Sequence, residues 1–410
     1  MRIAILHMRY LPELTGTGPL VAELASDLAA RGEEVTVITS MPHYGLRTPG
    51  RSGGPAGEGH ERGVRVVRTL AFPYGSGRAL GRAVDYGLYA ALSTFSGLAM
   101  SKPDVLLAVA PPISVGVSAW LVGIARRAPI VFNAQDIWPD GLISMGKLHN
   151  PLLVRVFRWL ESFTYRASRR VTVLSEGMRE NLLQKGVPAA KVAVLPNWVD
   201  LEAIRPVERS NAFRRELDVE GKFVVLFAGN LGFAAGLETV LRAADLLRKE
   251  GDIVFLLVGE GSAKEGLRAM ARELALENVR FVTSQPRSRL AEVLGAADLS
   301  LVPLRSGMGS LSVPSKTMAI MASGRPVLAA VPSDSEVRRV VDQAGCGRWI
   351  EAEDPASMAA EIVRLRADPD GLQSLGLSGR RYAEAHFGRR EIVARHHRLL
   401  TEVALERSAG

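Results

Sequence analysis

The 410 residues give room for about two or three domains, each able to bury a core. A formal charge of +8 points to an anionic partner, whether nucleic acid, anionic lipid or a phosphate-bearing substrate. A single cysteine, Cys346, excludes an intrachain disulfide and a cysteine-based zinc site, and no run reaches the ~18 uninterrupted apolar residues of a spanning helix.

Met1-Arg2 leads straight into Ile3–His7, which reads as a buried strand, so the expected location is cytoplasmic. Leu20–Arg31 is an amphipathic helix stopped by Gly32. Strands are expected at Val35–Thr39, Val64–Leu70, Val105–Ala110, Ile130–Asn133, Val171–Leu174 and Val192–Leu195, with helices at about 79–100, 114–127, 151–168 and 176–185. The stretch Gly45 to Gly63, rich in Gly, Pro and charge, reads as a mobile loop. After a linker-like Pro196 to Pro206 the alternation restarts at Phe223–Ala228. It continues through Ile253–Val258, Val279–Val282, Leu299–Val302, Val327–Ala330 and Arg348–Ile350 to three closing helices. Repeated βα alternation predicts an α/β chain of two doubly wound, Rossmann-like domains, 1–200 and 201–388. In such folds ligands bind beyond the carboxyl ends of the strands, so the expected site is a cleft between the two domains.

The loops at those strand ends carry the candidate chemistry. Gly16-Thr17-Gly18, preceded by Tyr10, opens the first helix, where backbone N–H groups attract an anion; a tight turn needing Gly is the competing reading. A third dinucleotide-type Gly is missing, as is an acid at the end of the second strand, which disfavours a nicotinamide cofactor. Gly229 to Gly236, with Asn230 and Gly232, and Gly259 in the next strand–loop–helix unit repeat the form. Lys316 falls in the first turn of a helix for which Ser315 is a natural N-cap. A cation is poorly placed beside the positive end of a helix unless an anion lies between them. Asp136 and Trp138, in Asn133 to Asp140, belong at a strand end; Asp136 could act as a base, orient a hydroxyl or cap a turn. His7 ends strand one, where it could reach the cleft or be a satisfied core histidine, and His43 is a weaker candidate at the end of strand two; His396-His397 is expected on the solvated face of the last helix. No His, Asp or Glu cluster has metal-ligand spacing. Residues 147–170 interleave Lys147, Arg155, Arg158 and Arg166 with Trp159 and Phe163, which reads as an interfacial patch for an anionic membrane or as a core-facing helix with a solvated Arg side; nucleic acid is disfavoured.

Several segments together resemble the retaining, nucleotide-sugar-dependent glycosyltransferases of the GT-B fold, glycosyltransferase family 4. They are YLPELTGTG, QDIWPD at 135–140, LPNWVD at 195–200, FAGNLGFAAGLETV from 227, FLLVGEGSAKEGL from 255 and VPSKTMAIMASGRPVLAA at 313–330. Within that family the likeness is to bacterial enzymes building cell-surface polysaccharide, of the colanic acid type, and to related N-acetyl-aminosugar transferases. The resemblance implies that the second domain binds a nucleotide sugar, expected to be a UDP-sugar, without metal or cofactor. Its contacts would be Asn230, Gly232, Gly259, Ser284, Gln285, Ser312, Ser315 and Lys316, with Gly16, Thr17 and Gly18 closing over the phosphates. The first domain would hold a glycan, lipid-linked or small-molecule acceptor, with His7, Tyr10, His43 and Trp138 on that side and Asp136 near the reacting centre. The last helix, about 389–410, would cross back to the first domain. Two glutamates common in the family are absent, Leu311 and Ala319 standing in their places. A UDP-sugar 2-epimerase and a non-catalytic sugar-nucleotide scaffold are the competing readings.

Overall fold

Apolar runs bounded by turn residues build two sheets. The computed structural model describes residues 1–13, 16–42, 57–70, 79–144, 148–307 and 315–406. The chain divides into two units, Met1–Asn197 with Arg390–Gly410, and Trp198–Arg389. The first unit holds β1 (Arg2–Leu6), β2 (Glu34–Ser40), β3 (Gly57–Glu61), β4 (Val64–Thr69), β5 (Val105–Val109), β6 (Ile130–Ala134), β7 (Arg170–Val173) and β8 (Val192–Val194), in the order β3-β4-β2-β1-β5-β6-β7-β8. The second holds β9 (Phe223–Ala228), β10 (Ile253–Val258), β11 (Val279–Val282), β12 (Leu299–Pro303), β13 (Val327–Ala330) and β14 (Gly347–Ile350), in the order β11-β10-β9-β12-β13-β14. Every pairing is parallel except β3 with β4.

The central strands are apolar at nearly every position because helices cover both faces of a parallel sheet. In β9 the alternation of side chains sorts the core into two layers. Val224 and Leu226 face a layer with Met318 and Met321, while Val225 and Phe227 face one with Val240 and Leu267. A truncation such as Phe255→Ala removes a fully buried ring from that second layer and should cost about 3–5 kcal/mol.

The structure departs from the sequence expectation at 45–63. Residues 43–56 lie outside the described residues, but Gly57–Glu61 forms β3, an antiparallel edge strand on β4. Arg62 and Gly63 connect them with φ of 51° and 79°, the doubly left-handed geometry of a two-residue hairpin turn. Gly-Glu-Gly-His-Glu carries no β-branched residue, so the pairing comes from the turn and the partner strand, not from propensity.

The helix Arg389–Glu406 packs on the first unit. His396 and His397 are not solvated as expected: His396 is buried with Nδ1 3.0 Å from the Ile392 carbonyl, and His397 Nε2 lies 2.6 Å from Glu33. Arg395 donates to the Val194 carbonyl at 2.7 Å, and Arg169 and Arg170 both pair with Glu406. Among the described residues no helix is long and apolar enough to cross a membrane.

Candidate active site

In the first unit the turn after β1 is fixed from beneath by a histidine. His7 is fully buried; its Nδ1–H donates to the Val109 carbonyl at 2.9 Å, and its Nε2 accepts from the Thr17 hydroxyl at 2.8 Å. Burial holds the ring neutral, with a pKa lowered to about 4. Thr17 stands at the N-cap of the helix Gly18–Ala30 yet makes no side-chain cap, because its hydroxyl is spent on His7. The helix start therefore receives no cap from the Thr17 side chain, and its second residue, Pro19, has no N–H to be capped. Gly16 reaches φ of 64°, a left-handed conformation glycine adopts without strain. Of the two readings of His7, facing an acceptor or being a satisfied core histidine, its burial with both nitrogens bonded fits the second, and its Nε2 positions Thr17. Tyr10, expected on the same side, is also buried, and burial pushes its phenol up to about 12.

Asp136 follows β6. Its carboxyl lies in dense surroundings although the residue is only half-buried by area, and this desolvation lifts its pKa to about 6. The loop bearing it is anchored by a run of amides: Asn197 donates to Gln135 Oε1 at 2.9 Å, Gln135 to Asn133 Oδ1 at 2.6 Å, and Asn133 to the Thr172 hydroxyl at 2.8 Å. Trp138 packs against Phe157, with ring centroids 6.2 Å apart. The sequence reading missed the amide run, since Asn197 sits in a stretch that reads as linker.

In the second unit the loops after β9 and β10 touch backbone to backbone. Leu231 N–H donates to the Glu260 carbonyl at 2.8 Å and Ala263 N–H to the Leu231 carbonyl at 2.9 Å. A Cβ on Gly259 would lie 1.9 Å from the Gly229 carbonyl oxygen, so Gly259 is required for this close approach. Buried Lys264 donates to the Gly259 carbonyl at 3.2 Å and pairs with Glu260 at 2.8 Å, pinning the loop. Asn230 is exposed on the loop after β9 and Gly232 half-buried.

Lys316 reaches the same place from another element. It is the second residue of the helix Ser315–Ala322; Ser315 is the first helical residue, not the residue before it as expected. The Lys316 Nζ lies 3.9 Å from the centroid of Phe227, and a Cβ on Gly229 would be 3.4 Å from it. Among the described residues it has no ion pair. Desolvation lowers its pKa to about 7, the ammonium end lying deep although the residue as a whole is half-buried. Ala319 is half-buried on this helix. Ser284 and Gln285 follow β11, with Gln285 Nε2 donating to the Thr283 carbonyl at 3.1 Å. His43, Leu311 and Ser312 lie outside the described residues. Among the described residues no three His, Cys, Asp or Glu side chains could hold a metal ion.

Two family models match the chain, the Glycosyl transferase 4-like domain over residues 15–198 and Glycosyl transferases group 1 over residues 222–368. WcaI of Escherichia coli K12, named for glycosyl transfer in colanic acid biosynthesis, is 29% identical over 372 residues, covering 88% of this chain and 91% of that protein. A D-inositol 3-phosphate glycosyltransferase of Thermobispora bispora is 32% identical over 424 residues, covering 96% of this chain and 90% of that protein. In fold, the chain matches Anabaena HepE in complex with UDP-glucose, at a TM-score of 0.74, 17% identity, and coverage of 98% and 100%.

Proposed function

Because the chain belongs to the family 4 glycosyltransferases of GT-B fold, we propose that it moves a sugar from a UDP-sugar to a hydroxyl of a growing cell-surface glycan, with retention of configuration. The observation that carries the donor assignment is Lys316: a desolvated cation in the first turn of a helix, beside a glycine loop and without an ion pair among the described residues. An anion is the partner that would make this arrangement favourable. The relatives add weight: HepE is described with UDP-glucose, and WcaI is named for polysaccharide synthesis. An N-acetylhexosamine is the proposed sugar.

The chemical demand is to stabilise a departing diphosphate. Lys316 and the N–H groups of the helix starts supply fixed positive charge where negative charge grows, with no resident metal assigned to the task. The bond from the anomeric carbon to the phosphate oxygen breaks, its electron pair leaving with the diphosphate. The acceptor oxygen bonds to that carbon on the same face, and its proton passes to the leaving phosphate oxygen. Asp136 would orient the acceptor hydroxyl. Lys316→Ala should lower kcat by about one to three orders of magnitude, the scale of one charged donor; unchanged turnover would remove the assignment. The nucleotide is tested by thermal shift against UDP-, GDP- and dTDP-sugars, since a bound ligand raises stability with its concentration.

The acceptor or its carrier is proposed to lie at an anionic membrane surface, met by the helix Pro151–Ala167. Its outer side exposes Leu152, Val156 and Trp159 among Arg155 and Arg158.

A further inference from the structure

The loop after β9 carries one group that the reaction above leaves unused. Phe233 opens the short turn Phe233–Ala235, and its side chain is 59% exposed. Single exposed apolar residues are ordinary, but this one is held on a built mount. Arg305, just beyond β12, places its guanidinium carbon 4.2 Å from the ring centroid. Its Nε–H donates to the Phe233 carbonyl at 2.7 Å, and its backbone N–H to the Ala234 carbonyl at 3.0 Å. Gly236, with φ of 56°, lets Arg305 come close: a Cβ there would meet Arg305 Cγ at 3.1 Å. Two carboxylates hold the far side of the guanidinium, Glu238 at 2.7 Å and Glu353 at 3.4 Å. Glu353 also accepts the Ser306 N–H at 3.3 Å, and its own backbone has φ of 60°, a region that residues with a Cβ rarely enter.

The clasp fixes the ring and selects its ligand. One cation against two carboxylates leaves the mount with no positive excess, so a phosphate gains nothing there. A neutral polar molecule with an apolar face does. The C–H edges of a sugar ring carry slight positive charge and pack against the electron-rich face of an aromatic ring. Phe233 shares its loop with Asn230 and Gly232, at the carboxyl edge of the sheet where ligands of this architecture bind. We infer that Phe233, mounted on Arg305, is a stacking platform for a saccharide ring, supplied by the donor or by the acceptor. The inference rests on the sugar-transfer reading, which supplies the saccharide.

Binding measurements separate the sources without knowledge of the natural acceptor. UDP, UDP-glucose and UDP-N-acetylglucosamine would be titrated calorimetrically into wild type, Phe233→Ala and Phe233→Trp. Methyl glucoside and maltose would be titrated into the UDP-loaded proteins. If the donor sugar stacks, Phe233→Ala weakens both UDP-sugars about tenfold, leaves UDP unchanged, and Phe233→Trp restores binding. If the acceptor stacks, the UDP-sugars are unaffected and saccharide binding to the loaded protein falls instead. Arg305→Lys, which keeps the charge but loses the planar fork, should reproduce the Phe233→Ala pattern at an unchanged thermal midpoint. Equal affinities of wild type and Phe233→Ala in every titration overturn the platform. A wild type that ignores UDP and both UDP-sugars overturns the donor reading instead, and the saccharide titrations are then read on the free protein.

Discussion

The proposed contact of Lys316 with the donor diphosphate would tie donor affinity to pH. In the free protein its pKa is lowered by burial to about 7, so at pH 8 only about a tenth of the molecules carry the charge. A bound diphosphate favours the ammonium and raises that pKa, so binding above pH 7 takes up a proton. Affinity for UDP-glucose, whose diphosphate does not titrate in this window, should therefore be flat below about pH 6.5 and fall toward tenfold per pH unit above pH 7.5. Calorimetry at pH 8 in buffers of different ionisation heat should find close to one proton absorbed, and Lys316→Ala should lose both the slope and the uptake. In its proposed role Asp136 would set the opposite limb. Desolvation raises its pKa to about 6, so the carboxylate forms only above that pH, and kcat should climb through pH 6. Asp136→Asn, which keeps the shape but cannot accept the acceptor hydroxyl's hydrogen bond in the same way, should flatten that limb and lower kcat, with the proton still passing to the leaving phosphate oxygen. Lys316 was legible in the sequence because a cation in a first helical turn is a local oddity. The role of His7 was not. Its grip on Thr17 spans only ten residues, but it depends on how the chain turns back over the end of β1, and composition does not encode that path.

The strands and long helices were readable for a plain reason. A strand covered on both faces is apolar throughout, and residues 355–366 or 151–167 repeat at helical spacing. The five-residue helices Asp140–Ser144 and Ala212–Glu216 were not readable, since five residues cannot display a period. The second of these matters for stability. It delivers Arg214, 2% exposed, to Asp298 at the entry to β12; Asp298 also accepts the Val224 N–H of β9 at 2.7 Å and the Arg209 guanidinium at 2.5 Å. Arg214 further donates to the Ala296 carbonyl at 2.7 Å and the Lys222 carbonyl at 3.0 Å. One buried pair thus joins two neighbouring strands to the helix before them. Asp298→Ala leaves the guanidinium buried without its carboxylate and should cost about 3–5 kcal/mol. Urea unfolding should show that loss as a lower midpoint at unchanged slope. A loss within ~0.5 kcal/mol, typical of a surface change, would show the pair to be dispensable.

Charge and exposed apolar surface meet on the helix Pro151–Ala167. Asn150 starts it, its side chain accepting from the N–H groups of Leu152 and Leu153 at 2.9 and 3.2 Å. The inward side is fully committed: Phe163 meets Trp120 edge-on at 5.2 Å, Tyr165 meets Phe132 at 6.0 Å, and buried Glu161 pairs with Lys185 at 2.7 Å. The outer side therefore leaves Leu152 and Val156 exposed, with Trp159 stacked on Phe163 at 5.5 Å but still largely open to solvent, and helices of the same unit expose Phe95 and Ile124. Membrane-spanning anchorage is not what this surface offers, since Arg155 and Arg158 share it. A formal charge of +8 would favour the proposed anionic bilayer, where each Arg near the surface contributes about 1 kcal/mol. Arg155→Glu with Arg158→Glu should then lower partitioning onto phosphatidylserine-containing vesicles by at least about 30-fold. High salt should weaken the wild type in the same way, while Trp159→Ala should weaken it at any ionic strength. The readout is vesicle sedimentation, with UDP-glucose affinity as the control for intact folding. Equal sedimentation with neutral and anionic vesicles would remove the charge argument. Binding kept by Trp159→Ala but lost by the Arg pair would make the contact purely electrostatic, with the apolar face left for a protein partner.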